Sequence, residues 1–298
     1  MAHPCFRILT ICALAVGGTL CQGADSQTIL FIGNSFTYGA GSESTHHFHP
    51  DSVTDLNKSK IGGVPALFKA MADQAGVPYQ VSLETKGGVG LDFHLKEKQP
   101  LVVKPWDIVC MHGLSVLDGK NPGDPHLLVS TVKEMADLLH AQNGKVKIYL
   151  TATWARADQI YPKDGHWHDS DVATMTRDVR KGYDLAAAGS PFISGISPVG
   201  ESWQRAIDGN LADPNPYDGI AAGRIDLWAA DNHHASSAGY YLEALTIFGT
   251  VTGRNPTLLG EDDAIAKELG VAPALAANLQ RIAAEQVAAN GKSGAVLH

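Results

Sequence analysis

Short apolar runs along the chain alternate with segments whose apolar positions recur every three or four residues. Five runs read as strands: 28–34 (TILFIGN), 79–85 (YQVSLET), 106–112 (WDIVCMH), 146–153 (VKIYLTAT) and 191–197 (PFISGIS). The first places Ile29, Leu30, Phe31 and Ile32 in succession, apolar on both faces and partly β-branched. That is the pattern of a central parallel strand covered by helices. Helical spacing fills the intervals. The segment 63–76 puts Leu67, Met71 and Ala72 on one face, and 127–144 is amphipathic and ends on Asn143-Gly144, a C-cap pair. Further helices are expected over 170–189, over 238–253 with Ser236 or Ser237 as N-cap, and over an alanine-rich 262–290. This alternation predicts βαβ units with right-handed crossovers and one parallel sheet. Three polar stretches, 40–62, 154–169 and 209–233, interrupt it. Loops of this length in a compact domain are usually functional or disordered. At least the first two follow strand carboxyl ends, where open α/β sheets bind ligands.

The chain has 298 residues, 31 acidic and 23 basic, for a net charge of −8. That length suits a single domain with an ample core. The acidic balance argues against nucleic acid or an anionic membrane as partner. Arg7 followed by ILTICALAVGGTL, with small residues before Ala24, reads as a secretory signal over residues 1–23. The apolar stretch is short for a membrane span. The expectation is therefore a secreted or periplasmic protein whose single domain covers 24–298, with no stable membrane insertion once the leader is removed. Cys5, Cys12 and Cys21 fall in that leader. Cys110 alone remains, which leaves no internal disulfide and no cysteine-based zinc site.

Ser35 stands at the carboxyl edge of the first run, after Gly33-Asn34. Alone it reads equally as a loop residue or a helix N-cap. As a nucleophile it needs a base to take its proton and a third group to orient that base. AADNHHASSAG supplies both, with Asp231 three residues before His234 and directly ahead of a helix; His233 is the neighbouring choice of base.

Gly33-Asn34-Ser35-Phe36-Thr37, together with Asp231-x-x-His234-x-Ser236-x-x-Gly239, resembles the SGNH/GDSL hydrolase superfamily. The likeness is to the bacterial branch whose first block reads G-N-S-[FY]-T and whose last reads D-x-x-H-x-S-x-x-G. TATWAR (151–156) and SPVGESWQRA (197–206) extend it over most of the chain. The resemblance implies a three-layer α/β/α sandwich with a flavodoxin-like parallel sheet of about five strands. It implies Ser35 as nucleophile, His234 as base and Asp231 as orienter. It also implies an oxyanion site made by the Ser35 N–H, a glycine N–H and an asparagine side chain. The glycine maps to Gly88, with Gly87 and Gly90 as alternatives. The asparagine does not map, because the third block here reads His112-Gly113-Leu114-Ser115 and Leu114 stands in its place. Either His112 supplies the missing donor, or Ser35 and Gly88 act without it. Asn34 is read as a turn-shaping residue.

HHFHP (His46, His47, His49) and HWH (His166, His168) lack the spacing of a helical metal pair, so no metal and no cofactor is expected. Trp154 and Trp203 read as packing residues, and Trp167, in a polar loop, as a residue to stack on a sugar ring. Arg156 either holds a substrate carboxylate or pairs with an acidic neighbour. The expected activity is ester hydrolysis through an acyl-serine, on a small-molecule or polysaccharide ester, with O-acetyl groups on a carbohydrate as the leading substrate. The rivals are a small-ester or lipid esterase, a non-catalytic carbohydrate-binding relative and, from the Gly/Ser/Thr-rich loop after the first strand, a flavodoxin-like cofactor carrier.

Overall fold

Parallel pairing organises the chain around β1. The computed structural model describes Met1 and residues 26–294. The leader assigned to residues 1–23 lies outside the described residues. The strands are β1 (Gln27–Gly33), β2 (Thr54–Asp55), β3 (Tyr79–Thr85), β4 (Ile108–Met111), β5 (Lys147–Ala152) and β6 (Ile193–Pro198). They form one parallel sheet in the order β2-β3-β1-β4-β5-β6. The helices are α1 (Ser35–Tyr38), α2 (Glu43–His46), α3 (Gly63–Gln74), α4 (Leu91–Glu97), α5 (Gln99–Val102), α6 (His126–Gln142), α7 (Val172–Ala188), α8 (Val199–Asp208), α9 (Ser237–Thr252), α10 (Ala264–Glu268) and α11 (Pro273–Gly294).

The expected three-layer α/β/α architecture is present. β3 lies on one side of β1, reached by way of the edge strand β2, and β4, β5 and β6 follow in turn on the other side. With right-handed crossovers, that change of side puts α3 on one face and α4, α6 and α7 on the opposite one. The contacts agree: α6 packs on α4 and α7, whereas α3 packs on α9, and α9 on α8 and α11. Reversal beside β1 makes a switch point, where a crevice opens at the strand carboxyl ends. Ile29, Leu30, Phe31 and Ile32 are 0–3% exposed, as a central strand requires.

Several expectations are corrected. The sheet has a sixth strand, two-residue β2, too short to leave a sequence signal. The run 106–112 contributes only Ile108–Met111 to the ladder. Asp107 instead receives the Thr28 N–H and hydroxyl, both at 2.8 Å, at the start of β1. The single helix expected over 262–290 is two, because Gly270 turns at φ 74° and Pro273 starts anew. Helix α8 has no side-chain N-cap and starts directly from β6, so its boundary was not visible. Ser236, of the two serines considered, caps α9, accepting the Gly239 N–H at 3.3 Å.

Buried aromatic rings link the crevice loops. Phe36 stacks on Trp154 (3.9 Å between centroids, 5° between planes), and Trp154 stacks on Trp203 (4.8 Å, 5°). Trp228 meets Trp203 edge-on at 5.3 Å. Phe36 is 1% exposed beneath Ser35. Phe36→Ala is expected to cost about 3–5 kcal/mol of stability. Chemical denaturation followed by circular dichroism measures this.

Candidate active site

Asn34 and Ser35 follow β1, Gly88 follows β3 and His112 follows β4, whereas Asp231 and His234 lie in the loop between α8 and α9. Asn34 caps α1, accepting the Phe36 N–H on Oδ1 at 3.1 Å. Its Nδ2 donates to the carbonyls of Val89 (3.0 Å) and Gly113 (3.2 Å), so one amide ties the end of β1 to the loops after β3 and β4. Ser35 follows as the first residue of α1 and is 9% exposed. Among the described residues no acceptor takes the backbone N–H of Ser35 or of Gly88. Gly88 turns at φ 73°, a conformation glycine adopts without strain. Gly33 is required for another reason: a Cβ there would lie 2.0 Å from Thr37 Oγ1 and 2.4 Å from His112 Nε2.

The turn 231–234 fastens the imidazole locally. Asp231 Oδ1 accepts the N–H groups of His233 (3.1 Å) and His234 (2.9 Å), while Oδ2 pairs with His234 Nδ1 at 2.6 Å. Partial burial alone would raise the Asp231 carboxyl. The hydrogen bonds from the His234 ring and the two backbone groups outweigh it and hold the carboxyl down at about 2. His234 Nε2 is buried and has no hydrogen-bond partner among the described residues. Asp231 and His234 are thus brought together. The hydrogen bond from Ser35 Oγ to Nε2 that nucleophilic attack needs is not made in this conformation.

Ser35 opens on a cavity of ≈ 300 Å³ that Gly88, Leu114, Arg156, Gln159 and His233 help to line. His233, not His234, reaches this wall. Its ring stacks on that of His234 (4.2 Å, 6°), and its carbonyl accepts the Trp154 indole N–H at 3.1 Å. Burial first, then the Arg156 guanidinium and His234, lower the His233 imidazole to about 4, against the pull of Asp158 and Asp231. Arg156 grips Asp158 with both fork nitrogens, Nε to Oδ1 at 2.9 Å and Nη2 to Oδ2 at 2.5 Å, and extends Nη1 to Ser115 Oγ at 3.5 Å. Of the two alternatives for Arg156, the acidic neighbour is present.

His112 does not take its expected role, and Trp167 lines a different cavity, of ≈ 470 Å³, from the one Ser35 opens on. His112 is buried, with Nδ1 2.8 Å from the Gly113 carbonyl and Nε2 2.7 Å from Thr37 Oγ1. A carbonyl only accepts, so Nδ1 carries the proton and the neutral ring accepts the Thr37 hydroxyl on Nε2. Neither nitrogen is left to bind an oxyanion. Trp167 is 5% exposed, donates its indole N–H to Asp178 at 2.9 Å and is absent from the Ser35 cavity wall. It packs against α7 and offers the Ser35 cavity no ring. Gln159, Ser115 and the placement of His233 were not foreseen. For Gln159 and Ser115 the one available signal was a place in the loop after a strand's carboxyl end, and for His233 its place beside His234. Nor was the buried Glu84–His94 pair, which joins β3 to α4 below the Gly87-Gly88 turn. Among the described residues no cluster of three or more His, Cys, Asp or Glu side chains is arranged to hold a metal ion.

No protein-family model and no curated protein sequence matches the chain. Solved structures do. A DUF4886 family protein from Bacteroides uniformis aligns at a TM-score of 0.56 with 16% identity, over 88% of this chain and 95% of that one. A protein of Slackia heliotrinireducens assigned to the SGNH hydrolases aligns at 0.50 with 19% identity, over 76% and 100%. One of Parabacteroides merdae assigned as a GDSL-like lipase aligns at 0.51 with 15% identity, over 76% and 96%. At these identities the likeness is one of fold, and the fold is that of SGNH/GDSL hydrolases.

Burial lowers the His112 imidazole from 6.5 to about 4. The folded protein keeps it neutral while the unfolded chain protonates it, so between those values the unfolded state binds more protons. Stability is therefore expected to fall as pH drops from 6.5 towards 4, by about 3 kcal/mol from this group. Urea midpoints across that range measure the loss, and His112→Gln should flatten the slope.

Proposed function

We propose that the protein is a serine ester hydrolase, exported by its leader, that removes O-acetyl groups from a carbohydrate through an acyl-serine intermediate. The observation that carries this reading is the Asp231–His234 clamp, which holds Nδ1 and leaves the buried Nε2 without a partner among the described residues. Phe36, next to Ser35, touches the His234 ring edge-on at 5.7 Å. Nucleophile–base contacts are often longer in unliganded enzymes than in the substrate complex.

In the reaction His234 Nε2 takes the Ser35 proton as Oγ attacks the acyl carbon. The N–H groups of Ser35 and Gly88 receive the developing oxyanion. His234, its ring held by Asp231, then returns the proton to the leaving alcohol, and water repeats the cycle on the acyl-serine. Ser35 stands after the first strand and Thr37 replaces the second glycine of a G-x-S-x-G elbow, so the arrangement differs from that of the α/β-hydrolases.

Two readings compete on particular observations. Leu114 in place of the amide donor favours a non-catalytic carbohydrate-binding relative. A further cavity of ≈ 570 Å³ shares Gly88 and Leu114 with the Ser35 cavity; apolar at Val89, Phe93 and Leu127 and charged at Asp92, Lys96 and Asp118, it has room for the acyl group of a small-ester or lipid esterase.

A fluorophosphonate is expected to add once to the wild-type protein and not to Ser35→Ala, read by intact mass. Absence of the adduct from folded wild type would leave the binding reading. Asp231→Asn should lower kcat by about 10³–10⁴-fold with the fold intact. Nitrophenyl esters of increasing acyl length separate the remaining pair: preference for acetyl supports deacetylation, preference for long chains the lipid esterase.

A further inference from the structure

The Ser35 cavity has more hydrogen-bonding groups than an acetyl ester can use. Its carbonyl oxygen belongs at the Ser35 and Gly88 N–H groups, and its methyl group needs no polar partner. Yet Gln159 and His233 also face this cavity, and among the described residues neither the Gln159 amide nor either His233 ring nitrogen has a hydrogen-bond partner. Both sit on secured backbone. The Gln159 carbonyl accepts the Trp167 N–H at 2.9 Å, and the adjacent Asp158 N–H donates to the Asn232 carbonyl at 3.1 Å. The remaining lining includes Leu114 and Pro122, which present carbon.

We infer that Gln159 and His233 are specificity-determining residues that bind the hydroxyl groups of an uncharged, polyhydroxylated leaving alcohol. This rests on the hydrolase reading above. Charge selects the neutral class. Arg156 is the one cationic side chain in this wall, and Asp158 already neutralises it through a two-pronged pair at 2.9 and 2.5 Å. A substrate carboxylate would have to compete with Asp158 for the same fork. An uncharged His233 adds no positive field, and its ring offers one donor and one acceptor, which matches a hydroxyl. Leu114 then acquires a role: where an amide would have pointed a donor at the oxyanion, its side chain gives the C–H face of a sugar ring an apolar contact.

The test compares kcat/KM for a mono-acetylated methyl xyloside with that for 4-nitrophenyl acetate, whose alcohol has no further hydroxyl. Gln159→Leu is expected to lower the ratio of the two about tenfold, and His233→Phe, which keeps a ring against His234, to do the same. The acetylated methyl glucuronide, with its carboxylate, should be no better a substrate than the xyloside. An unchanged ratio in Gln159→Leu, or a tenfold preference for the glucuronide, overturns the proposal. Gln159 makes no side-chain hydrogen bond in the fold, so its variant carries the test should His233→Phe unfold. Failure of the hydrolase reading is seen separately, as no fluorophosphonate adduct on wild type. Calorimetric binding of methyl xyloside to Ser35→Ala then decides: binding weakened by Gln159→Leu supports the wall, and equal binding overturns it.

Discussion

The flat stack of Phe36 on Trp154 holds the two halves of the candidate site against each other. Phe36 is rigidly coupled to Ser35 through the single turn of α1. Trp154, just past β5, donates its indole N–H to the carbonyl of His233. A ring pair and one hydrogen bond therefore join residues about 200 positions apart in sequence, with Trp203 closing the stack from behind. The parallel sheet brings the strand ends to one edge but does not set the distances between the loops that leave them. Buried aromatic rings do, because their large contact area and preferred geometries tolerate little sliding. The Tyr240 hydroxyl reinforces the same joint by donating to the Ala40 carbonyl at 2.7 Å.

Charge is managed by local neutralisation. Asp231 meets His234 and two backbone donors, Asp158 meets Arg156, and the two histidines nearest the sheet edge, His112 and His233, are kept uncharged mainly by burial. Below the Gly87-Gly88 turn, Glu84 and His94 form a pair that is almost wholly buried, and Asn57 links Glu84 to Lys98 nearer the surface. A buried pair of this kind contributes little net stability, but removing one member leaves an uncompensated charge. It fixes α4 to β3 on either side of Gly88, the residue whose backbone must stay in place if it is to receive an oxyanion.

Leu114 is the one clear departure from the resembled pattern, and the structure gives it surroundings. It lines both the Ser35 cavity and the larger one beside Phe93. An amide there would sit at the junction of two partly apolar spaces. A leucine in place of the amide affects the shape and polarity of the cleft as well as oxyanion binding.

The sequence by itself determined the parallel α/β architecture, all five of the longer strands to within about two residues, and the local pairing of Asp231 with His234. It could do so because these depend on local pattern: consecutive apolar residues for buried strands, helical spacing between them, and an Asp-x-x-His turn that closes on itself within four residues. The fate of His112 and Trp167, and the entry of Gln159, His233 and Ser115 into one cavity, were decided only by tertiary structure. His112 looks like a polar residue at a strand end until Thr37 and the Gly113 carbonyl take both nitrogens. Trp167 looks exposed until its loop folds back and its indole N–H finds Asp178. Which polar atom is spent in the fold and which is left for a ligand depends on partners far away in sequence, and that is set by packing.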